Sequence, residues 1–153
     1  MSTSALVGSC GCGAVRFEIS EPLLGSIYCH CTRCQKRTGT ACQASALASP
    51  GSVTVTAGAD HLRDWEPGGL AKTYCALCGA HMFARDGETG AISIVRLAAI
   101  DGDPVVRPLA RQFVAYNPVW AEIPDDGLPR FDEALPKPSR DERSGLAAGQ
   151  GTR

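Results

Sequence analysis

The chain has 153 residues, of which 44% are hydrophobic and 20% charged, and its formal net charge is −1 at pH 7. This composition predicts one globular domain with a real core, and the absence of a long basic run argues against nucleic acid or an anionic membrane as the main partner. No apolar stretch approaches the ~20 residues that cross a bilayer. Because residues 1–10 lack the basic and apolar regions of a secretory signal, we expect a cytoplasmic protein.

Short candidate strands follow one another along most of the chain. The first, 14–19, alternates in polarity and places Val15, Phe17 and Ile19 on one face. Further strands are predicted at 23–28, 41–47, 52–56, 70–74, 91–97 and 109–115. Only residues 32–38 favour a short helical turn. One strand in roughly every 8–12 residues indicates a mainly β fold built from short antiparallel strands.

The two ends of the chain differ in composition. Residues 1–135 carry the predicted strands and form the predicted β domain. Residues 136–153 are rich in Pro, Ser, Gly and charged side chains and contain little that could be buried. We therefore expect a disordered C-terminal tail over 136–153.

The eight cysteines fall mainly into three tight groups. In a reducing compartment such thiols are more often metal ligands or catalytic groups than disulfides. Close neighbours in sequence are also poor disulfide partners, because a bridge needs a suitable Cα separation and opposed Cβ vectors. The grouping therefore predicts metal binding.

Two of these groups are pairs, each followed directly by a glycine, Gly13 or Gly79. A glycine there tolerates positive φ and lets the turn aim backbone N–H groups at the sulfurs. Free thiols in a β core are the alternative, but buried core cysteines do not usually lie in paired turns. The pairs predict one closed, structural zinc site. Its four ligands would be Cys10, Cys12, Cys75 and Cys78.

The third group, Cys29, Cys31 and Cys34, supplies three ligands from one short segment. Three protein ligands leave one coordination position open, which is typical of a catalytic zinc that can lower the pKa of an incoming thiol. Two alternatives would change this interpretation. Cys42 could close the site as a fourth ligand, or His30 could replace a cysteine. The second is disfavoured because adjacent residues of an extended segment point to opposite sides.

Basic side chains follow the third group at Arg33, Lys36 and Arg37. One interpretation is an ordinary exposed, charged turn. Beside an open metal site, however, the same groups could bind the carboxylates of a small thiol substrate. On that hypothesis Lys36 and Arg37 are the candidate substrate-binding residues.

Three segments together resemble the glutathione-dependent formaldehyde-activating enzyme family. They are Gly-Ser-Cys-Gly-Cys-Gly-Ala-Val-Arg-Phe at 8–17, Cys-His-Cys-Thr-Arg-Cys-Gln-Lys-Arg-Thr-Gly at 29–39 and Tyr-Cys-Ala-Leu-Cys-Gly at 74–79. The resemblance extends over about residues 6–135. It implies a β-tent fold with two zinc sites, the four-cysteine one structural and the three-cysteine one catalytic. The family often has a histidine a few residues after the proline that matches Pro108, whereas Arg111 stands near that place here.

The resemblance also implies an activity. A carbon–sulfur lyase or synthase of this kind would add glutathione to formaldehyde and give S-(hydroxymethyl)glutathione, with Cys29, Cys31 and Cys34 as catalytic residues. A related thiol or another small electrophile would fit the same chemistry. The alternative hypothesis is a non-catalytic zinc-binding module that mediates protein interaction. That module predicts a second site that is closed, for instance by Cys42, or left empty. An exposed apolar patch without a pocket would favour it.

Overall fold

Eleven short strands and one α-helix make up the regular structure that a computed structural model describes over residues 5–65 and 69–136. The strands are β1 (Leu6–Ser9), β2 (Arg16–Ile19), β3 (Gly25–Cys29), β4 (Gln43–Leu47), β5 (Val53–Ala57), β6 (Leu62–Trp65), β7 (Leu70–Cys75), β8 (His81–Asp86), β9 (Ile92–Arg96), β10 (Pro108–Gln112) and β11 (Arg130–Phe131). The helix is α1 (Thr32–Thr38), and 3₁₀ turns lie at Ala59–His61, Leu97–Ala99 and Val114–Tyr116. This confirms the predicted mainly β, single-domain fold.

The strands form two sheets. The smaller has the order β1-β2-β5 and is antiparallel throughout. The larger has the order β11-β10-β3-β4-β9-β8-β7-β6, and only β10 runs parallel to its neighbours, β3 and β11. The parallel pairing places β10 beside β3, the strand that carries the first cysteine of the three-cysteine group. Elements distant in sequence therefore meet there.

The core lies between the two sheets. Phe17 of β2 and Phe83 of β8 meet edge to face with ring centroids 4.9 Å apart, a favoured aromatic geometry. Val15 and Ile19 are buried beside Phe17, as the alternation over 14–19 predicted. Because the intervening polar residues of β2 face solvent, one strand supplies both a core face and a surface face.

Most predicted elements are present with shifted ends. The helix over 32–38 is confirmed, and strands occupy all seven predicted segments. Four strands were not predicted, namely β1, β6, β8 and β11. They are short or carry charged residues, and their pairing partners supply their stability. The predicted tail at 136–153 lies, apart from Pro136, outside the described residues.

Among the described residues, no helix has the length and apolarity needed to span a membrane. The helix α1 connects β3 to β4, which pair with each other in antiparallel orientation. This connection brings the last residue of β3, Cys29, and the basic residues of α1 together at one end of the β3–β4 pair.

Candidate metal centres and active site

The four sulfurs of the paired cysteines converge on one point. Their Sγ atoms all lie within 4.8 Å of one another, and the residues are Cys10, Cys12, Cys75 and Cys78. Zn–S bonds of about 2.3 Å that meet at tetrahedral angles place sulfurs about 3.8 Å apart, so this donor set fits a zinc ion. The cluster joins the β1–β2 turn of the small sheet to the β7–β8 turn of the large one.

The N-terminal turn is built around Cys10. Its N–H donates to the carbonyl of Val15 over 3.0 Å, and the Val15 N–H donates to the Cys10 sulfur over 3.2 Å. Gly13 closes the turn with φ of 76°. Burial, the largest single effect, raises the pKa of Cys10, but hydrogen bonds from Val15, Cys12 and Cys75 together lower it to about 6. The turn thus favours a thiolate at Cys10. A backbone hydrogen bond from Ala14 lowers the pKa of Cys12, but its interaction with the Cys10 thiolate and other effects raise that pKa to about 11.

The second turn repeats this design. The N–H of Cys75 donates to the carbonyl of Ala80 over 3.0 Å, and the N–H of Gly79 donates to the carbonyl of Cys75 over 2.7 Å. Gly79 has the same φ, 76°, as its counterpart in the first turn. A backbone hydrogen bond from Ala80 lowers the pKa of Cys78. Each cysteine pair is therefore held in a turn that points backbone donors at sulfur.

The second cluster forms where β3 passes into α1. The Sγ atoms of Cys29, Cys31 and Cys34 lie within 4.8 Å of one another. Cys29 ends β3, and Cys31 caps α1 by accepting a hydrogen bond from the Cys34 N–H over 3.4 Å. A hydrogen bond from the Cys34 thiol lowers the pKa of Cys29 despite its burial. Three soft donors thus meet at the C-terminal end of β3, and such a set could hold a metal.

Neither alternative ligand joins this second cluster. The buried His30 ring points away from the sulfurs, because its Nε2 accepts from Arg111 Nη1 over 3.2 Å and its Nδ1 lies 2.9 Å from Asn117 Oδ1. The Cys42 sulfur lies instead near the Arg111 guanidinium, and burial raises the pKa of this thiol. The group therefore consists of the three cysteines.

A cavity of about 420 Å³ opens beside the three cysteines. Four cationic side chains line it, and they are Arg33, Arg37, Lys72 and Arg96. None of the lining residues that the structure describes is acidic. A concave site lined by one sign of charge attracts ligands of the opposite sign, so this cavity favours an anion.

Two of the cations are fixed by specific contacts. Arg37 donates from Nη2 to the Cys34 sulfur over 3.3 Å, and its guanidinium lies 5.5 Å from the centroid of the Trp65 ring. Arg96 is buried and donates from Nη1 to the Ser45 hydroxyl over 2.8 Å. Burial and the neighbouring charge of Arg37 lower the pKa of Arg96 to about 10. Both side chains are thus held in place at the cluster before any ligand arrives.

The predicted substrate-binding residues occupy different positions. Arg37 lines the cavity, whereas Lys36 is exposed and is not among its lining residues. Lys72 on β7 and Arg96 on β9 also line the cavity, but they were not predicted because they are far from the cysteine motif along the chain. The one signal in the sequence that could have indicated them is a basic residue within an otherwise largely apolar strand. Such a residue indicates a site because a charge is rarely buried without a partner or a function.

Comparison with known proteins identifies the family. The family model for the glutathione-dependent formaldehyde-activating enzyme matches residues 5–116, a range that contains both cysteine clusters. The chain belongs to this family.

Individual relatives agree with the assignment. A Halomonas elongata protein named "Putative glutathione-dependent formaldehyde-activating enzyme" is 31% identical over 127 residues, covering 77% of this chain and 80% of that protein. A crystal structure of a Rhodobacter sphaeroides protein has a TM-score of 0.54 at 23% identity, covering 82% of this chain and 98% of that one. This second likeness shows the fold alone.

This member of the formaldehyde-activating family has a buried arginine behind the second cluster. Arg111 donates from Nη2 to Asp126 Oδ2 over 2.6 Å, and its guanidinium lies 4.3 Å from the centroid of the Tyr28 ring. Its Nη1 donates to His30, which stands between two of the clustered cysteines. Arg111 therefore holds His30, and with it the segment between Cys29 and Cys31, in place. In the sequence, this arginine was noted only as a departure from the family pattern.

Proposed function

We propose that this protein adds glutathione, or a closely related thiol, to formaldehyde or a similar small electrophile and forms S-(hydroxymethyl)glutathione. The observation that carries the proposal is the cavity in which the three-cysteine cluster and four cationic side chains meet. Membership of the family and the printed name of the Halomonas elongata relative support the same chemistry. In the reverse direction the enzyme would be a carbon–sulfur lyase.

Zinc is the metal that we propose for both clusters, because converging thiolates are the donors that it prefers in proteins. Zinc bound at Cys29, Cys31 and Cys34 would supply Lewis acidity that favours the deprotonated form of an incoming thiol. The four cysteines of the other cluster would fill all four coordination positions of a tetrahedral zinc ion, so that site would be structural.

The reaction needs no oxidant. The thiol sulfur forms a bond to the carbonyl carbon, the C=O π bond opens, and the thiol proton ends on the oxygen. Both reactants are small, so the main tasks of the protein are to hold them together and to favour the thiolate. The cavity of about 420 Å³ beside Cys31 has room for glutathione, with its carboxylates against the cationic side chains and its sulfur facing the cluster.

Glutathione carries two carboxylates, an ammonium group and two amides, and the cavity offers complements to these groups. Arg33, Arg37 and Lys72 can bind carboxylates through charge-assisted hydrogen bonds. Gln43 donates from Nε2 to the Ser45 hydroxyl over 3.0 Å. Its buried Oε1 has no hydrogen-bond partner among the described residues and can accept from an amide or ammonium N–H.

The alternative of a non-catalytic interaction module is less well supported. It predicted a second cluster closed, for instance by Cys42, or left empty, and an apolar patch without a pocket would favour it. Cys42 does not join the cluster. Val119 and Trp120 are exposed on the surface, but the charged cavity lies beside the cluster as well. A binding module has no need of a cationic cavity beside an open thiolate set.

The decisive experiment measures formation of S-(hydroxymethyl)glutathione by exchange NMR, using protein shown to carry two zinc ions per chain. We expect a rate above the uncatalysed one that is lost in Cys31→Ser and retained in Cys42→Ser. Mercaptoethanol, which lacks carboxylates, should react with a much higher KM. If fully metallated protein gives no excess rate with either thiol, the proposed function is wrong.

A further inference from the structure

The charged cavity continues into a second, apolar cavity. This second space measures about 400 Å³ and shares three lining residues with the first, namely Ile27, Ser45 and Ile94. The two volumes are therefore parts of one groove across the large sheet. We call the part beyond these shared residues the apolar groove.

The register of β3 and β4 shows how the groove runs. From the cysteine end it pairs Cys29 with Gln43, Ile27 with Ser45 and Gly25 with Leu47. Alternate residues of a strand lie on the same face, so these three pairs line one face in order. At about 3.3 Å per residue, the groove extends about 13 Å from the three-cysteine cluster. Its lining changes from thiol and amide groups to aliphatic ones over that distance.

Leucine side chains form the far end of the apolar groove. Leu24, Leu47 and Leu109 come from three neighbouring segments, and 38%, 50% and 52% of their respective surfaces are exposed. Leu135 lies beside them, and its N–H donates to Gln112 Oε1 over 3.2 Å. A single exposed leucine on a protein surface is ordinary, whereas a concave group of them continuous with a reactive centre favours an apolar ligand.

We propose that the physiological adduct carries an aliphatic substituent that lies in the apolar groove, an inference that rests on the proposed function and specifies its substrate class. The carboxylates of the thiol would contact the cations, its sulfur would face the cluster, and the substituent would extend toward Leu47. Formaldehyde fills none of this space. The matching reaction joins the glutathione sulfur to the carbonyl carbon of an aliphatic aldehyde, and the thiol proton ends on oxygen in an S-(1-hydroxyalkyl) product.

Binding of S-alkylglutathiones tests the inference without turnover. Calorimetry would compare the S-methyl, S-butyl and S-octyl compounds on zinc-loaded, full-length protein. Full burial gains about fourfold in affinity per methylene, and half-exposed walls should give about twofold. We therefore expect S-octylglutathione to bind about a hundredfold more tightly than S-methylglutathione. The gain should be largely lost in Leu47→Asp and retained in Val119→Asp, whose exposed site lies outside the groove lining.

The outcomes separate the two proposals. Equal affinities along the series, or a full gain in Leu47→Asp, would overturn the inference and leave the proposed function intact. Failure of all three thioethers to bind, while glutathione with its free thiol still binds, would overturn only the inference. Failure of glutathione to bind as well would contradict both proposals. Sedimentation of wild type and Leu47→Asp tests whether a second copy of the chain occupies the apolar groove instead. A wild-type dimer that dissociates in the variant would assign the groove to that second copy and overturn the inference.

Discussion

At the scale of single residues, two lysines with the same charge have different surroundings. Lys72 lines the charged cavity, and burial together with the nearby Arg37 and Arg96 lowers its pKa. Lys36 is exposed on α1 and is not a lining residue. The motif around the cysteines contains only Lys36, so position in the fold, rather than nearness in sequence, decides which lysine can contact a substrate.

Substitution of these lysines gives a matched pair. We expect Lys72→Gln to lower kcat/KM for glutathione about tenfold, mainly through KM, because one charge-assisted hydrogen bond is lost. Lys36→Gln should change kcat/KM less than twofold. Steady-state kinetics on both variants, at equal zinc content, makes the comparison. A larger effect at Lys36 would mean that glutathione binds outside the cavity.

Gly8 on β1 has no space for a side chain. A Cβ there would lie 2.1 Å from Phe17 Cζ and 2.4 Å from the carbonyl oxygen of Ala99. Because one of these neighbours is backbone and the other a buried core ring, we expect Gly8→Ala to lower the free energy of unfolding by about 3 kcal/mol. Thermal unfolding should show a Tm lower by roughly 10 °C. Val7→Ala, at an exposed site on the same strand, should change Tm by only a degree or two.

At the scale of elements, the four-cysteine cluster connects turns that belong to different sheets. The β1–β2 turn supplies Cys10 and Cys12, and the β7–β8 turn supplies the other two sulfurs. Among the described residues, a backbone hydrogen bond from the Asp101 N–H to the Val7 carbonyl over 2.9 Å joins β1 to the connection between β9 and β10. A metal held between the two turns would therefore act as a cross-link.

Loss of one ligand should remove this cross-link. We expect Cys75→Ser to bind one zinc ion fewer per chain and to lose several kcal/mol of stability. Cys42→Ser, which also removes a half-buried thiol, should keep both ions and unfold near the wild-type temperature. Elemental analysis and thermal unfolding provide the two readouts. Zinc loss from Cys42→Ser would instead place that sulfur in a coordination shell.

At the scale of the whole molecule, Arg111 connects the C-terminal segment to the region around the three-cysteine cluster. It lies on β10, contacts His30 and Tyr28 of the neighbouring β3 region, and pairs with Asp126. The Arg111 guanidinium lowers the pKa of the Asp126 carboxyl below its ordinary value of 3.8. The pairing therefore stabilises the folded protein above that value and is lost as the pH falls through the lowered pKa.

This pairing predicts a pH-dependent difference between wild type and Asp126→Asn. Urea unfolding should find the variant less stable at pH 7, with the difference shrinking below about pH 4 as the wild-type carboxyl is protonated. Asp125→Asn is the matched control, because the neighbouring Asp125 is exposed and forms no ion pair among the described residues. Parallel stability curves for wild type and Asp126→Asn from pH 7 to pH 3 would contradict this role of Asp126.

The amino-acid sequence alone was enough to predict the three cysteine groups, the helix over 32–38 and most of the strands. Those features are local, since a turn, a cap or an alternating strand depends on residues a few positions apart. Val15, Phe17 and Ile19 are buried as their alternation required, and Gly13 and Gly79 have the positive φ that their positions suggested.

Which side chains surround the two clusters depends on the fold as a whole. Lys72 and Arg96 reach the charged cavity from β7 and β9, and Arg111 reaches His30 through a parallel pairing with β3. The apolar groove likewise combines leucines from separate strands. Such contacts depend on strand order and register across the sheet, and strands distant along the chain carry no local pattern that specifies their neighbours.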